Sequence, residues 1–322
     1  MHMKFALLGA CAATMALTAP ARAEYPEEPV TLVIPFGAGG ITDLVTRRIA
    51  EKMAAGLGTD IIVENRPGAG GTIAARSVAE SDADGYTVFV GTVGSQVVNP
   101  LIRDNVGYDP VESFEPVGLM AGTPFLLAVN PGLGVETFGD LVTYAKEHPG
   151  ELNFGSAGVA SSPHLGLELL KYEEGIDIVH IPFNSGREAV NAAASNEVDM
   201  TIDAAVVIMP QVKEGLLVPL MLGTDRKMVA APDVPTNVEA GAPEISITSW
   251  NGLFVPSGTP EDVVSALNTA LMGALADEEL IAALEAQGTL LFTGSKEEYD
   301  AFIEAERTRW STIVEAAAIS IN

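Results

Sequence analysis

Cysteine is nearly absent from this chain: Cys11 is the only one in 322 residues. A single thiol supports neither a disulfide framework nor a cysteine-based zinc site. The four histidines, His2, His148, His164 and His180, show no HExxH or CxxC spacing, so the sequence offers no metal centre and no cofactor site. Basic residues are scarce as well. Seventeen Lys plus Arg face 43 Asp plus Glu, a formal net charge of -26. Such a surface repels phosphate backbones and anionic membranes alike, which argues against nucleic acid and lipid surfaces as partners. Past the N-terminus no stretch approaches the ~20 apolar residues that a membrane helix needs. No GxGxxG, GK[ST] or GxSxG pattern occurs either, which leaves nucleotide binding and a nucleophile elbow without their usual sequence marks.

What is present is a large apolar fraction, 48%, in 33.5 kDa. Chains of this length outgrow one hydrophobic core, so two globular lobes are expected rather than a disordered tail. Lys4 precedes an uncharged, mostly apolar run from Phe5 to Ala19, and Pro20 and Ala21-Arg22-Ala23 follow it. That is the layout of a secretory signal over residues 1–23, cleaved before Glu24 and implying a periplasmic destination. Leu8-Gly9-Ala10-Cys11 loosely matches a lipoprotein box, an alternative in which Cys11 is lipidated.

From Glu24 onward, short β-rich runs alternate with helix-period segments. Val30–Pro35 precedes Leu44–Leu57, Ile61–Glu64 precedes Ile73–Ser81, and Thr87–Thr92 precedes Gln96–Arg103. This alternation predicts parallel sheets covered by helices. Val45, Ile49, Met53 and Leu57 recur every four residues, the buried stripe of a helix that Gly56 or Gly58 ends. After a strand at Phe125–Val129, Thr137 and Asp140 are spaced as a capping box for a helix over Phe138–His148. A second series follows: strands at Asn153–Gly155, Asp177–Ile181, Asp199–Asp203 and Val218–Thr224, with helices at Pro163–Glu174, Arg187–Ser195 and Ile208–Gly215. Ser249–Val255 reads as a strand, and from Pro260 the chain reads as helices broken near Asp277 and Gly294.

Six of the β-like runs end directly before a helix, five of them in Gly-, Ser- or Asn-bearing loops, Phe36 to Asp43, Pro67 to Thr72, Gly91 to Ser95, Gly155 to Gly158 and Pro182 to Gly186, and the sixth in Asp203-Ala204. A helix N-terminus presents unpaired N–H groups and about half a positive charge, so it holds an anion without any lysine. In open α/β sheets ligands sit at such strand ends. Each residue also has a plainer structural role. Glycine makes turns; Asp43 caps its helix; Ser161 or Ser162 caps the helix that Pro163 opens. His164 packs at the start of that helix, and Asp203 caps the turn that follows it. Ser156, Ser161 and Ser162 lie near His164 in sequence only, which is thin support for a hydrolase.

Val33-Ile34-Pro35-Phe36-Gly37-Ala38-Gly39-Gly40-Ile41-Thr42-Asp43, Val63-Glu64-Asn65-Arg66-Pro67-Gly68-Ala69-Gly70-Gly71 and Asp84-Gly85-Tyr86-Thr87 together resemble the extracytoplasmic solute-binding proteins of tripartite tricarboxylate transporters, the Bug family. Leu152-Asn153-Phe154-Gly155-Ser156, Val179-His180-Ile181-Pro182-Phe183, Asp233-Val234-Pro235-Thr236 and Ser249-Trp250-Asn251-Gly252-Leu253-Phe254, with Pro256-Ser257-Gly258-Thr259-Pro260, extend the resemblance to the whole mature chain. It implies an α/β, two-lobed periplasmic-binding-protein fold of type II with two crossovers between lobes. The lobes implied are residues 24–123 plus 246–322, and residues 124–245. The implied function is capture of a small organic carboxylate for a membrane permease. The receptor is expected to be a monomer, not an enzyme, with no metal or cofactor and no nucleic-acid partner. The alternatives are a ligand sensor feeding a two-component kinase and a secreted α/β hydrolase that depends on Ser156.

Carried over residue by residue, the implied ligand contacts are Phe36, Gly37, Ala38, Gly39, Gly40, Ile41, Thr42 and Asp43 in the first loop. Ser156, Ser161, Ser162, Asn184, Ser185 and Asp203 face them, with Thr92 and Ser95 in addition. Many relatives carry Pro-Tyr-Lys-Gly where this chain has Pro182-Phe183-Asn184-Ser185-Gly186, so a tyrosine hydroxyl and a lysine are missing there. Binding without a cation is energetically sufficient. A micromolar complex needs about -8.2 kcal/mol, and hydrogen bonds to a charged group contribute about 1.5–3 kcal/mol each.

Overall fold

Val30–Ile34 forms the first strand, β1, because its branched side chains fit a pleated surface covered on both faces. The structure, a computed structural model, describes residues 25–159 and 161–319. The expected signal over residues 1–23, including Cys11, lies outside the described residues. After β1 come α1 (Ile41–Leu57), β2 (Ile61–Asn65), α2 (Thr72–Ala79), β3 (Thr87–Thr92), α3 (Asn99–Ile102), β4 (Phe114–Val129), α4 (Phe138–Glu147) and β5 (Asn153–Ser156). Next are α5 (Ser162–Glu174), β6 (Val179–Pro182), α6 (Gly186–Ala194), β7 (Met200–Ala204), α7 (Ala205–Lys213) and β8 (Val218–Leu222). β9 (Thr248–Pro256), α8 (Glu261–Leu275), α9 (Glu278–Glu285), β10 (Leu290–Leu291) and α10 (Lys296–Ala316) complete the chain.

The strands lie in the order β2-β1-β3-β9-β4-β7-β5-β6, with β8 and β10 also paired to β4. One strand, β4, serves two half-sheets. Its residues Phe114–Pro124 pair with β9, and Phe125–Val129 pair with β7 and β8. Strands β1, β2 and β3 are parallel, and β9 runs against both β3 and β4, so β4 points the same way as β1–β3. Strand β7 runs against β4, with β5 and β6 parallel to it. The C-terminal ends of β1–β3 and of β5–β7 therefore point toward each other along β4. Thr92 at the end of β3 is level, through Asn251, with Ala121, whereas Ala204 at the end of β7 pairs with Phe125. Four residues of strand separate those two levels, about 13 Å.

The chain crosses between the half-sheets at Pro124–Phe125 and returns between Gly223 and Thr248. The crossings are tied together: Phe125 N donates to Ile247 O (2.9 Å), Gly223 N to Phe125 O (2.8 Å) and Ile247 N to Gly223 O (2.8 Å). Sequence placed a strand at Phe125–Val129 only, yet β4 begins at Phe114 in spite of Pro116, Gly118, Gly122 and Pro124. Register shifts near Pro116 and Leu119 accommodate the irregular backbone. The glycines serve packing: a Cβ at Gly122 would lie 2.6 Å from Phe292 and Thr248 side-chain atoms, and one at Gly118 2.9 Å from Leu271.

Helix α1 buries Val45, Ile49 and Met53 and ends at Gly58, whose left-handed backbone donates back to Ala54 O. The expected capping box of Thr137 and Asp140 opens α4. The helix expected over Gln96–Arg103 is instead a π-turn at Gly94–Val98 followed by α3. Its start is drawn in by reciprocal bonds, Thr92 N to Ser95 Oγ (3.0 Å) and Ser95 N to Thr92 Oγ1 (3.2 Å). A core around Leu32, Ile49, Met53, Leu253 and Leu271 lies under α1 and α8. A larger one runs without a break from Phe89, Trp250 and Phe254 to Leu127, Phe154 and Leu167, joining the two half-sheets. A third, around Leu126, Val190, Ile208 and Leu222, fills the outer face of the second half-sheet.

Candidate functional site

In the first half-sheet, the loop from Phe36 to Ile41 is solvent-exposed where β1 gives way to α1. Helix α1 starts at Ile41 with no side-chain cap on its N-terminal amides. Asp43, in the first turn and buried, shapes the loop from inside. Its Oδ2 accepts Gly39 N at 2.9 Å, and its Oδ1 accepts Arg47 Nε and Asn65 Nδ2, each at 3.0 Å. The Arg47 hydrogen bond does most to hold the Asp43 carboxyl down at about 2; burial opposes this, and the Gly39 and Asn65 donors reinforce it. Asn65 Nδ2 also donates to Phe36 O at 3.0 Å. The Asp43 charge is thus internally neutralised, and Gly39 is the one loop amide it occupies.

Two further loops gather beside this one. Gly71, at φ +98, lies against Pro35 and Ser95, and a Cβ there would sit 3.0 Å from Pro35 Cβ. Asn99 Nδ2 donates to Gly70 O at 2.7 Å. Thr92 and Ser95 are both buried, and their hydroxyls close the π-turn. They line the strand end, and their hydrogen bonds are made within the turn.

The second half-sheet brings its own three loops together. Phe183 N donates to Ser156 O at 2.9 Å, which ties the β6 loop to the end of β5. Ser156 is fully buried. Its Oγ contacts His180 Nε2 at 2.6 Å and Gly158 N and O, each at 3.1 Å. The serine's histidine partner is therefore His180 rather than His164. The two imidazoles stack at 4.0 Å between centroids, and Phe154 stacks on His180 at 4.8 Å. Burial lowers both histidines to about 4; the neighbouring His180 and Lys171 add to the effect at His164, and Lys171 adds to it at His180. His164 packs inside the helix start, the plainer of its two roles.

The hydroxyl of Ser161 accepts His164 N (3.3 Å) and donates to Gly158 O (2.7 Å), so Ser161 caps α5; Ser162 is the first residue of that helix. The Ser185 hydroxyl likewise caps α6 by accepting Glu188 N. Asn184 is exposed, with its backbone N and its Nδ2 each 3.2 Å from Glu188 Oε2. Asp203 closes β7. Its Oδ1 accepts Ala204 N at 2.7 Å, its Oδ2 lies against Gly186, and burial raises its carboxyl above the ordinary value while the Ala204 amide lowers it. Helix α7 begins after Ala204 with no side-chain cap.

The sixteen residues singled out from sequence lie in the loops and helix starts that follow β1, β3, β5, β6 and β7. Three organising residues were missed. Asn65 and Arg47 hold the first loop through Asp43, and His180 holds Ser156. Asn65 stood in a quoted motif, and a polar amide at a strand end next to a glycine loop was its signal. The His180 contact depends on β5–β6 register and had no sequence signal. Among the described residues no group of three or more His, Cys, Asp or Glu is placed to hold a metal ion, and no helix is long and apolar enough to cross a membrane.

Comparison with known proteins gives concordant findings. The model of the tripartite tricarboxylate transporter family receptor matches residues 45–319. Protein BugT of Bordetella pertussis is 30% identical over 311 residues, covering 96% of this chain and 95% of its own. The adipate-bound Rpa4515 of R. palustris superposes with a TM-score of 0.76 at 35% identity, covering 92% of this chain and 99% of that one. MatC from Rhodopseudomonas palustris with bound malate gives a TM-score of 0.71 at 33% identity, covering 90% and 100% respectively.

Proposed function

The chain belongs to the tripartite tricarboxylate transporter receptor family, and from that premise we propose that it captures a small organic carboxylate between its two half-sheets and delivers it to the membrane permease of such a transporter. The observation that carries this reading is the Phe36–Asp43 loop. It is exposed from Phe36 to Ile41, rich in glycine, preshaped by the buried Asp43 and continuous with an uncapped helix N-terminus, the arrangement that holds an anion by main-chain amides. The strand ends of the second half-sheet lie about 13 Å away along β4, a span for a short carboxylate, a few ordered waters and the loops that hold them. The ligands of Rpa4515 and MatC, adipate and malate, are of the same chemical class.

In this reading residues 24–123 with 246–322, and residues 124–245, are lobes that close on the ligand. The hinge is at the triple tie of Phe125, Gly223 and Ile247, where both crossovers meet and a few dihedrals absorb the motion. The export signal expected at residues 1–23 delivers the receptor to the periplasm, where the permease is accessible.

Native mass spectrometry of freshly purified protein, followed by thermal-shift screening of mono- and dicarboxylates, tests the proposal. Gly40 has an ordinary extended backbone, and an added Cβ would meet nothing closer than Gly37 O at 3.7 Å. Gly40→Trp is therefore expected to fold and to lose the ligand-induced shift. Gly39, at φ +82, is the poorer choice because any side chain strains it. A Gly40→Trp protein that responds to carboxylates as the wild type does would remove this loop from the site.

A further inference from the structure

We propose a second ligand site, separate from the cleft: the cavity enclosed by the two crossings, β10 and α10 takes a small aromatic carboxylate, with its ring against Trp250, Phe292 and Phe302 and its charge on Arg226 and Arg309.

The cavity encloses 120 Å3. One wall is made by the crossings themselves, through Pro124, Thr224, Ser246 and Thr248, each the immediate chain neighbour of a residue in the Phe125–Gly223–Ile247 tie. An occupant therefore touches the chain exactly where it passes between the half-sheets. The opposite wall is aromatic. Trp250 is fully buried and meets Phe302 edge-on at 5.8 Å between centroids, and Phe292 lies 6.2 Å from Phe302. Rings so placed accept a further ring by edge or offset contact. Access is provided by an adjoining space of 390 Å3 that shares Arg226, Phe292 and Phe302 and is bordered by the exposed Thr293 and Glu298.

The charge at this cavity is unusual for the chain. Basic residues number 17 against 43 acidic ones, yet Arg226 and Arg309 line the same small space. Both keep a donor in reserve. Arg226 donates Nη1 to Leu291 O at 3.3 Å and Nη2 to Glu285 at 3.5 Å, which leaves most of its N–H fork unused. Arg309 is held by Ser246 O, by Glu306 and over the Trp310 ring at 5.0 Å, while its buried Nε has no hydrogen-bond partner among the described residues. An unpaired guanidinium donor is costly to bury, and a ligand carboxylate satisfies it. The acidic residues on the cavity do not cancel this attraction. Glu306 already accepts from both indoles and from Arg309, and Asp225 is exposed, where solvent ions screen it.

Trp250 and Trp310 are the only tryptophans in the chain, and both donate to Glu306 on the cavity wall, so their emission reads occupancy. The full mature chain is titrated with benzoate and with benzamide, followed by tryptophan fluorescence and by isothermal titration. Benzoate is expected to give a saturable change, and benzamide, which keeps the ring and lacks the charge, to bind about tenfold more weakly. Arg226→Met is expected to weaken benzoate about tenfold. Ser246→Phe, which adds a ring at the cavity wall, is expected to weaken it by a similar factor. Gly40→Trp, which alters the cleft loop, is expected to bind benzoate as the wild type does. No saturable binding, equal binding of benzamide, or benzoate affinity unmoved in both cavity variants overturns the second site. Loss of benzoate binding in Gly40→Trp also overturns it, since that result places benzoate in the cleft and leaves the receptor reading standing.

Discussion

Asp43 accepts the Gly39 amide at 2.9 Å across four residues of chain. One side chain thereby joins the glycine loop to the first turn of the helix that follows it, so the loop keeps its shape without a ligand. Preorganisation of this kind lowers the ordering cost of binding.

Replacing Asp43 by Ala removes the acceptor for Gly39, Arg47 and Asn65 at once. A loss of about 1–2 kcal/mol in unfolding free energy is expected, together with a weaker carboxylate-induced thermal shift. The pH sign follows from its depressed pKa: the stabilisation is complete above the ordinary carboxylate value of 3.8 and fades as pH falls toward about 2. Denaturant titration at pH 7 and pH 2.5 checks this, and an Asp43→Ala deficit of equal size at both would contradict it.

The stacked His164 and His180 give stability a second, separate pH dependence. Both are held neutral in the native state, with values near about 4 against an ordinary 6.5. The unfolded chain takes up protons first, so stability falls as pH drops from about 6.5 to about 4. The total is on the order of 3 kcal/mol for the pair, after allowance for the partial exposure of His180. Thermal midpoints measured across that range read the slope. His164→Phe keeps the stacking and removes one proton site, and its profile is expected to be flatter; parallel profiles would rule the pair out as the cause.

Glu306 is a buried carboxylate on α10 that gathers three donors. It accepts Trp250 Nε1 at 2.8 Å, Trp310 Nε1 at 3.1 Å and the Arg309 guanidinium, while Arg309 Nη1 donates to Ser246 O at 2.8 Å next to the returning crossover. Glu306→Ala strands both indoles and the guanidinium, and a destabilisation of about 3 kcal/mol is expected by urea unfolding. A change below 1 kcal/mol would show that the network is not structural.

Gly252 lies beneath the Tyr299 hydroxyl, which is buried and has no hydrogen-bond partner among the described residues. Gly252→Ala overpacks this contact and is expected to cost about 1–3 kcal/mol. Tyr299→Phe removes an unsatisfied hydroxyl and is expected to be neutral or mildly stabilising. Combining the two should recover part of the Gly252→Ala loss. Strict additivity of the two changes would mean that the hydroxyl is not the obstacle.

Local elements were legible wherever chemistry acts over a few residues. The stripe of α1, its stop at Gly58 and the Thr137–Asp140 box could all be read because periodicity and capping are short-range properties. The start of α1 at Ile41 rather than Leu44 was not, since Gly40 leaves no capping side chain to mark it. Strand β4 was truncated in the sequence reading because Gly118, Gly122 and the prolines look like breakers. In the folded chain those glycines answer to Leu271 and Phe292, residues more than a hundred positions away.

Sequence alone determined the alternation of strand and helix, the glycine- and serine-bearing loops at five strand ends, the scarcity of cations and the family resemblance, all of them properties of composition or of neighbouring residues. Tertiary structure decided which donors and acceptors remain available. Only the packed arrangement shows that Asp43 is neutralised by Arg47 and Asn65, that Ser156 is paired with His180 and that the Asp203 carboxylate lies against Gly186. The Asn65–Asp43 and His180–Ser156 contacts depend on how neighbouring strands are aligned, and one position of strand slippage would reassign both.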